Sequence, residues 1–167
     1  MQYSFEPMAE QHRTAVVDIF NSFVPQSFAC FLERPVPYEF YDLLNKSRAG
    51  LPAFVVRQED GEIIGFGLLR PHSPMPTYSH TAEISYFILP KHCGKGLGSQ
   101  LLGLLINEGS KKGIETILAC ISSLNEGSIR FHSKHGFAQC GCFKEVVKKN
   151  GVKFDTVWMQ LDCKPQA

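Results

Sequence analysis

Pro90-Lys91-His92-Cys93-Gly94-Lys95-Gly96-Leu97-Gly98-Ser99 joins two segments of different character. Before it stands Ile84-Ser85-Tyr86-Phe87-Ile88-Leu89, rich in strand-forming residues; after it, Gln100-Leu101-Leu102-Gly103-Leu104-Leu105-Ile106 has the apolar density of a buried helix. A strand therefore runs into a glycine loop that becomes a helix N-terminus. Glycines at alternate positions let the backbone turn sharply and approach a ligand closely. The unpaired N–H groups of the first helical turn, with the helix dipole, favour an anion, and a phosphate is the natural one.

Outward from this loop the chain reads as one α/β domain with a mixed sheet, spanning 1–163, followed by a disordered tail at 164–167. Gln11 to Phe23 spaces Ala15, Val16, Ile19, Phe20 and Phe23 for one face of a helix that Pro25 ends. Tyr38 to Lys46 reads as a second helix. Asp60-Gly61 between the apolar runs 53–56 and 63–69 is a hairpin signal, and Pro71 to Thr77 reads as a loop. Downstream, a helix to about Lys112 is capped by Gly113, Thr116 to Ile121 is a buried strand, and Asn125 to Lys134 is a short helix. Phe137 to Cys142 and Thr156 to Leu161 complete the strands, pairing across Asn150-Gly151.

Composition narrows the partners. Seventeen basic residues against sixteen acidic ones leave a net charge of +1, which provides no electrostatic footprint for nucleic acid or an anionic membrane. A small soluble ligand is expected. The six cysteines include no C-x-x-C and sit mostly in apolar or strand-like runs, so they read as reduced thiols. Cys140 and Cys142 with His132 or His135 match no usual zinc spacing, and no metal is expected. The first residues lack the basic and apolar regions of a signal peptide, and no apolar run reaches the ~18 residues a membrane span needs, so a cytoplasmic protein is expected.

Two phosphate loops are excluded by their own requirements. A dinucleotide fingerprint needs a third glycine where Ser99 stands, with Glu115 only approximating its acidic partner; a P-loop needs Ser or Thr where Gly96 follows Lys95. Cys93-Gly94-Lys95-Gly96-Leu97-Gly98 instead resembles the Q/R-x-x-G-x-G/A acyl-CoA loop of the GCN5-related N-acetyltransferase (GNAT) superfamily, with cysteine at the first position. Asn125-Glu126-Gly127-Ser128-Ile129-Arg130-Phe131-His132, then Gly136-Phe137, is similar to the N-x-x-S-I-R-L-H and G-F pattern of its phosphinothricin and methionine sulfoximine acetyltransferase branch. Thr81-Ala82-Glu83-Ile84-Ser85 resembles that branch's T-x-E-x-S strand.

The resemblance implies the GNAT fold: a central, mixed, mostly antiparallel twisted sheet with helices on both faces and a splayed strand pair holding CoA. It also implies an N-acetyltransferase that moves an acetyl group from acetyl-CoA to the primary amine of a small, amino-acid-like molecule. A non-catalytic acyl-CoA-binding module or a protein-amine acetyltransferase are the alternatives. The amine must be neutral to attack, and the resemblance places the general base at Glu83, the only acidic residue of its strand. His132 occupies a motif position from which it would protonate the departing thiolate or contact the cofactor. Amides from Gly94, Lys95, Gly96, Leu97, Gly98 and Ser99 would cradle the pyrophosphate. Tyr86, Phe87 and Ile88 would meet the pantetheine, with Asn125 and Ser128 reaching it from the following helix. Gly151-Val152-Lys153-Phe154-Asp155 lacks the arginine and tryptophan that relatives carry there, which leaves Phe28, Phe31, Tyr78 and His80 as a more aromatic acceptor pocket. Family members commonly form dimers, so a homodimer is also an expectation.

Overall fold

The computed structural model describes residues 2–163; the tail expected at 164–167 lies outside them. The elements in chain order are β1 (Tyr3–Pro7), α1 (Arg13–Phe23), α2 (Phe40–Ser47), β2 (Ala53–Gln58), β3 (Ile63–Pro71), β4 (Thr81–Ile88), α3 (Leu97–Ser110), β5 (Thr116–Ser122), α4 (Glu126–Lys134), β6 (Ala138–Lys149) and β7 (Val152–Asp162). The strands form one seven-stranded sheet in the order β1-β2-β3-β4-β5-β7-β6. Every pairing is antiparallel except β4 with β5.

Strand alternation sorts the core into two layers. Val56, Ile64, Leu69, Ala82, Ile84, Ile117 and Met159 face Leu101, Leu102 and Leu105 of α3. Val55, Phe66 and Leu68 instead meet Val16, Val17, Ile19 and Phe20 of α1 and Tyr41 of α2. Each such aliphatic or aromatic side chain contributes about 1.5–3 kcal/mol on burial, which fixes α1 against the sheet more firmly than any polar contact it makes. Glycines in β3 permit the close approach of their neighbours: a Cβ on Gly67 would lie 2.9 Å from Tyr86 Cβ and 3.0 Å from Leu101 Cδ2.

Two features place the site. β4 and β5 pair only at Thr81–Thr116, Ala82–Ile117 and Glu83–Leu118, and then diverge. α3 begins at Gly96, whose φ of +78° a side chain would strain, and the turn after it uses Gly113 at φ +84°.

The terminal hairpin is longer than its sequence suggests. β6 continues seven residues past Cys142 to Lys149, and the turn at Asn150 (φ +49°) and Gly151 (φ +80°) has the paired positive φ of a tight hairpin. Phe143–Lys149 carries charge and apolar residues without strict alternation because most of it is exposed, and Glu145 at φ +49° lies where the register shifts. Lys149, only 1% exposed, donates from Nζ to the carbonyls of Ser27 (2.7 Å) and Cys30 (2.6 Å), tying the segment after α1 to the hairpin tip.

Candidate active site

Where β4 and β5 part, Ile84, Ser85, Tyr86 and Phe87 face Ala119, Cys120, Ile121 and Ser122 across a slot of about 90 Å³. The slot shares Ala29, Tyr86, Phe87, Asn125 and Ser128 with a larger cleft of about 550 Å³. Gly94, Gly96, Leu97, Gly98 and Ser99 border that cleft. Gly94 and Gly96 both have φ +78°, and a Cβ at either would meet no protein atom within 4 Å, so the loop presents bare backbone to open space. Gly98 packs under Phe131, with its Cβ position 3.3 Å from the ring. Ser99 is braced by His135, whose Nδ1–H donates to the Phe131 carbonyl (2.8 Å), leaving Nε2 to accept from the Ser99 hydroxyl (2.8 Å). Asn125 caps α4 by accepting the Ser128 N–H at 3.2 Å. A narrow slot opening onto helix-terminal amides fits a long thioester with a pyrophosphate at its far end.

Tyr86 and His132 form the α4-side wall. His132 Nδ1–H donates to the Ser128 carbonyl (2.7 Å), which leaves Nε2 to accept the Tyr86 hydroxyl at 2.6 Å. The rings lie nearly parallel, 16° apart. Burial pushes the Tyr86 hydroxyl well above the usual phenol range and pulls His132 below the usual imidazole range, so both are neutral.

On the opposite face of β4, Glu83 sits at the last paired position before the slot. Its side chain is 13% exposed and both oxygens are engaged. Arg70 donates to Oε2 from Nε (3.1 Å) and Nη2 (2.5 Å), and His72 Nδ1 lies 2.8 Å from Oε1. The His72 ring stands near Tyr78 (5.5 Å) and edge-on to Trp158 (6.2 Å). Cys120, paired with Trp158 across β5 and β7, has its thiol pushed up to about 11, by burial first and by the Glu83 charge second.

The other expected residues divide. Ile88 and Phe87 line the cleft, as do Asn125 and Ser128. Lys95 turns away to β1, its Nζ 2.9 Å from Tyr3 Oη. Phe28 and Phe31 pack on Phe154, while Ala29 between them reaches both cavities. Tyr78 joins His72, and the His80 carbonyl accepts from the Glu115 and Thr116 amides. No sequence motif marks Arg70, His72, Cys120 or Trp158, which the fold brings together around Glu83. The opposite charges of Arg70 and Glu83, cross-strand partners in the β3–β4 register, were the available signal. Among the described residues no group of three or more His, Cys, Asp or Glu is placed to hold a metal, and no helix is long and apolar enough to cross a membrane. All six cysteines are free thiols.

Residues 16–137 match the model of the acetyltransferase (GNAT) family. The chain belongs to this family. As a GNAT chain it is an acetyl-CoA-dependent acyltransferase. It is 32% identical over 157 residues to an L-methionine sulfoximine/L-methionine sulfone acetyltransferase of Pseudomonas aeruginosa, covering 90% of this GNAT chain and 88% of the relative. An L-amino acid N-acyltransferase of Escherichia coli is 31% identical over 149 residues, covering 88% and 86%. The structure is similar to that of a phosphinothricin acetyltransferase from Sinorhizobium meliloti in complex with acetyl-CoA, with a TM-score of 0.90, 25% identity, and 97% and 89% of the two chains covered.

Proposed function

We propose that the chain moves an acetyl group from acetyl-CoA to the primary amine of a small, amino-acid-like molecule. The observation that carries this reading is the divergence of β4 and β5 immediately after Glu83 and Leu118, because it opens a slot between the strands that runs into the cleft bordered by the start of α3. Gly94 to Ser99 supply amides to the pyrophosphate, while Tyr86, Phe87 and Ile88 with Asn125 and Ser128 border the pantetheine path. Lys95 is better placed to steady the loop against Tyr3 than to meet a phosphate from within the cleft.

Acetyl transfer requires the amine to lose a proton, and the Glu83 carboxylate is the acidic group at the acceptor end on which that loss depends. The departing sulfur meets the Tyr86 hydroxyl, with His132 behind it as the hydrogen-bond partner; His132 acts through this pair. Tyr78, His72 and Trp158 cluster beside Glu83 on the acceptor side, and Phe28, Phe31 and His80 are proposed to complete its aromatic wall. Near-neutral charge favours a small-molecule acceptor over nucleic acid or a membrane surface, and the resemblance to the family supports a homodimer.

Thiol release from acetyl-CoA against methionine sulfone, methionine sulfoximine, phosphinothricin and the common amino acids tests this reading. At least one amine supports turnover, and Glu83→Gln lowers kcat about 10-fold or more while CoA affinity stays within about twofold. Full activity in Glu83→Gln at neutral pH would remove Glu83 from the mechanism.

A further inference from the structure

Glu83 meets the acceptor side with both oxygens already occupied. Two Arg70 donors converge on Oε2 and His72 Nδ1 faces Oε1, so an incoming ammonium would compete with donors in place. His72 is different. With Nδ1–H given to Glu83, its Nε2 carries the lone pair and has no hydrogen-bond partner among the described residues. The side chain is 31% exposed, so acceptor and water can reach it.

Four elements meet around Glu83 and this ring. Glu83 comes from β4 and Arg70 from β3, Tyr78 from the turn Pro76–Tyr78, and Trp158 from β7. Cys120 on β5 borders the slot and lies opposite Trp158, which the His72 ring meets edge-on. A carboxylate that fixes one imidazole nitrogen while the other is left unpartnered and accessible is the arrangement of an oriented base.

We propose that His72 Nε2 is the base that deprotonates the acceptor, with Glu83 the positioning residue that holds His72 Nδ1–H. This rests on the acetyltransfer reading above and assigns its proton-accepting atom. The acceptor ammonium gives one proton to Nε2 and becomes a neutral amine. Its lone pair forms the C–N bond to the thioester carbonyl carbon; the C–S bond breaks with its electron pair on sulfur. The second N–H proton passes to that sulfur, giving amide and free thiol, and the imidazolium returns its proton to water.

The test compares wild type, His72→Gln, His72→Ala and Glu83→Gln by thiol release with acetyl-CoA and the best acceptor of the panel. It is read as kcat against pH, with CoA affinity measured alongside. His72→Gln is expected to lose about 100-fold or more in kcat, to lose the acidic limb of the wild-type pH profile, and to keep CoA affinity within about twofold. Added imidazole should restore part of the rate to His72→Ala, which a merely structural histidine would not allow. Glu83→Gln should lose less than His72→Gln, since its amide oxygen still accepts from Nδ1–H. If His72→Gln keeps kcat within about threefold and the wild-type pH profile while Glu83→Gln is the weaker enzyme, Glu83 is itself the base and the proposal is overturned. Wild type inactive on every amine would instead sink the acetyltransfer reading, a result separable from either.

Discussion

Tyr86 is a residue whose meaning changed between sequence and structure. Alternation along β4 puts it on the face away from Glu83, and its hydroxyl, expected only to border the pantetheine, ends at His132 inside the slot. His132 is buried at 3% exposure, so removing the Tyr86 hydroxyl leaves its Nε2 unpaired. Tyr86→Phe strips His132 Nε2 of its donor and is expected to lower unfolding stability by about 1–3 kcal/mol, read as a shift of the urea midpoint at unchanged slope. An effect under about 0.5 kcal/mol would mean that water replaces the hydroxyl. Glu83 and His132 were legible because each sits in a short motif with a defined spacing. His72 was not, because its partner lies 11 positions away, across a proline-rich loop with no periodicity from which a register could be counted.

At the scale of elements, the start of α3 depends on backbone geometry that side chains other than glycine's do not readily adopt. Gly96 is the N-cap residue at φ +78° and its N-terminal neighbours supply no side-chain cap, so the loop's shape comes from the glycines themselves. Gly96→Ala is expected to cost about 1–2 kcal/mol and to weaken CoA binding several-fold, measured by calorimetric titration. Unchanged affinity would show that the loop binds by its side chains. The strand-loop-helix passage, the hairpin at Asp60-Gly61 and the α4 cap were legible because each has a local signal: a period change, a turn dipeptide, an Asn three residues before the amide it caps. The outer half of β6 had none. It lies on the sheet edge and most of its residues face solvent, so no buried face imposed alternation on Phe143–Lys149. Lys149 likewise reads as one more surface charge until the chain after α1 is seen folded over it, supplying two carbonyls.

Across the whole molecule, buried histidines set the response to acid. His12, His92 and His132 are each held below the usual imidazole range, with burial the first cause in all three. The unfolded chain protonates them near pH 6.5 while the folded one resists, so it binds more protons below that value. Their contribution is therefore complete above about pH 6.5 and is lost as pH falls through the lower folded values. The carboxylates of Glu6, Asp42 and Asp155, held low chiefly by hydrogen bonds to Arg57, Arg13 and Lys144, act only below the usual carboxylate range, and as surface pairs they act weakly. The thermal midpoint should thus fall between pH 7 and pH 5, before the carboxylates titrate; a flat profile there would mean the histidines are protonated in the folded protein. The diverging strands carry a different consequence. A sheet normally ends at its margins, but here a ladder lapses in its middle, between β4 and β5, and leaves an interior seam with hydrogen-bonding groups on both banks. Whatever fills the seam acts as a missing strand. The donor is then part of the fold as well as of the reaction: at a hundred times its Kd it would add about 2.7 kcal/mol to the stability of the chain that uses it.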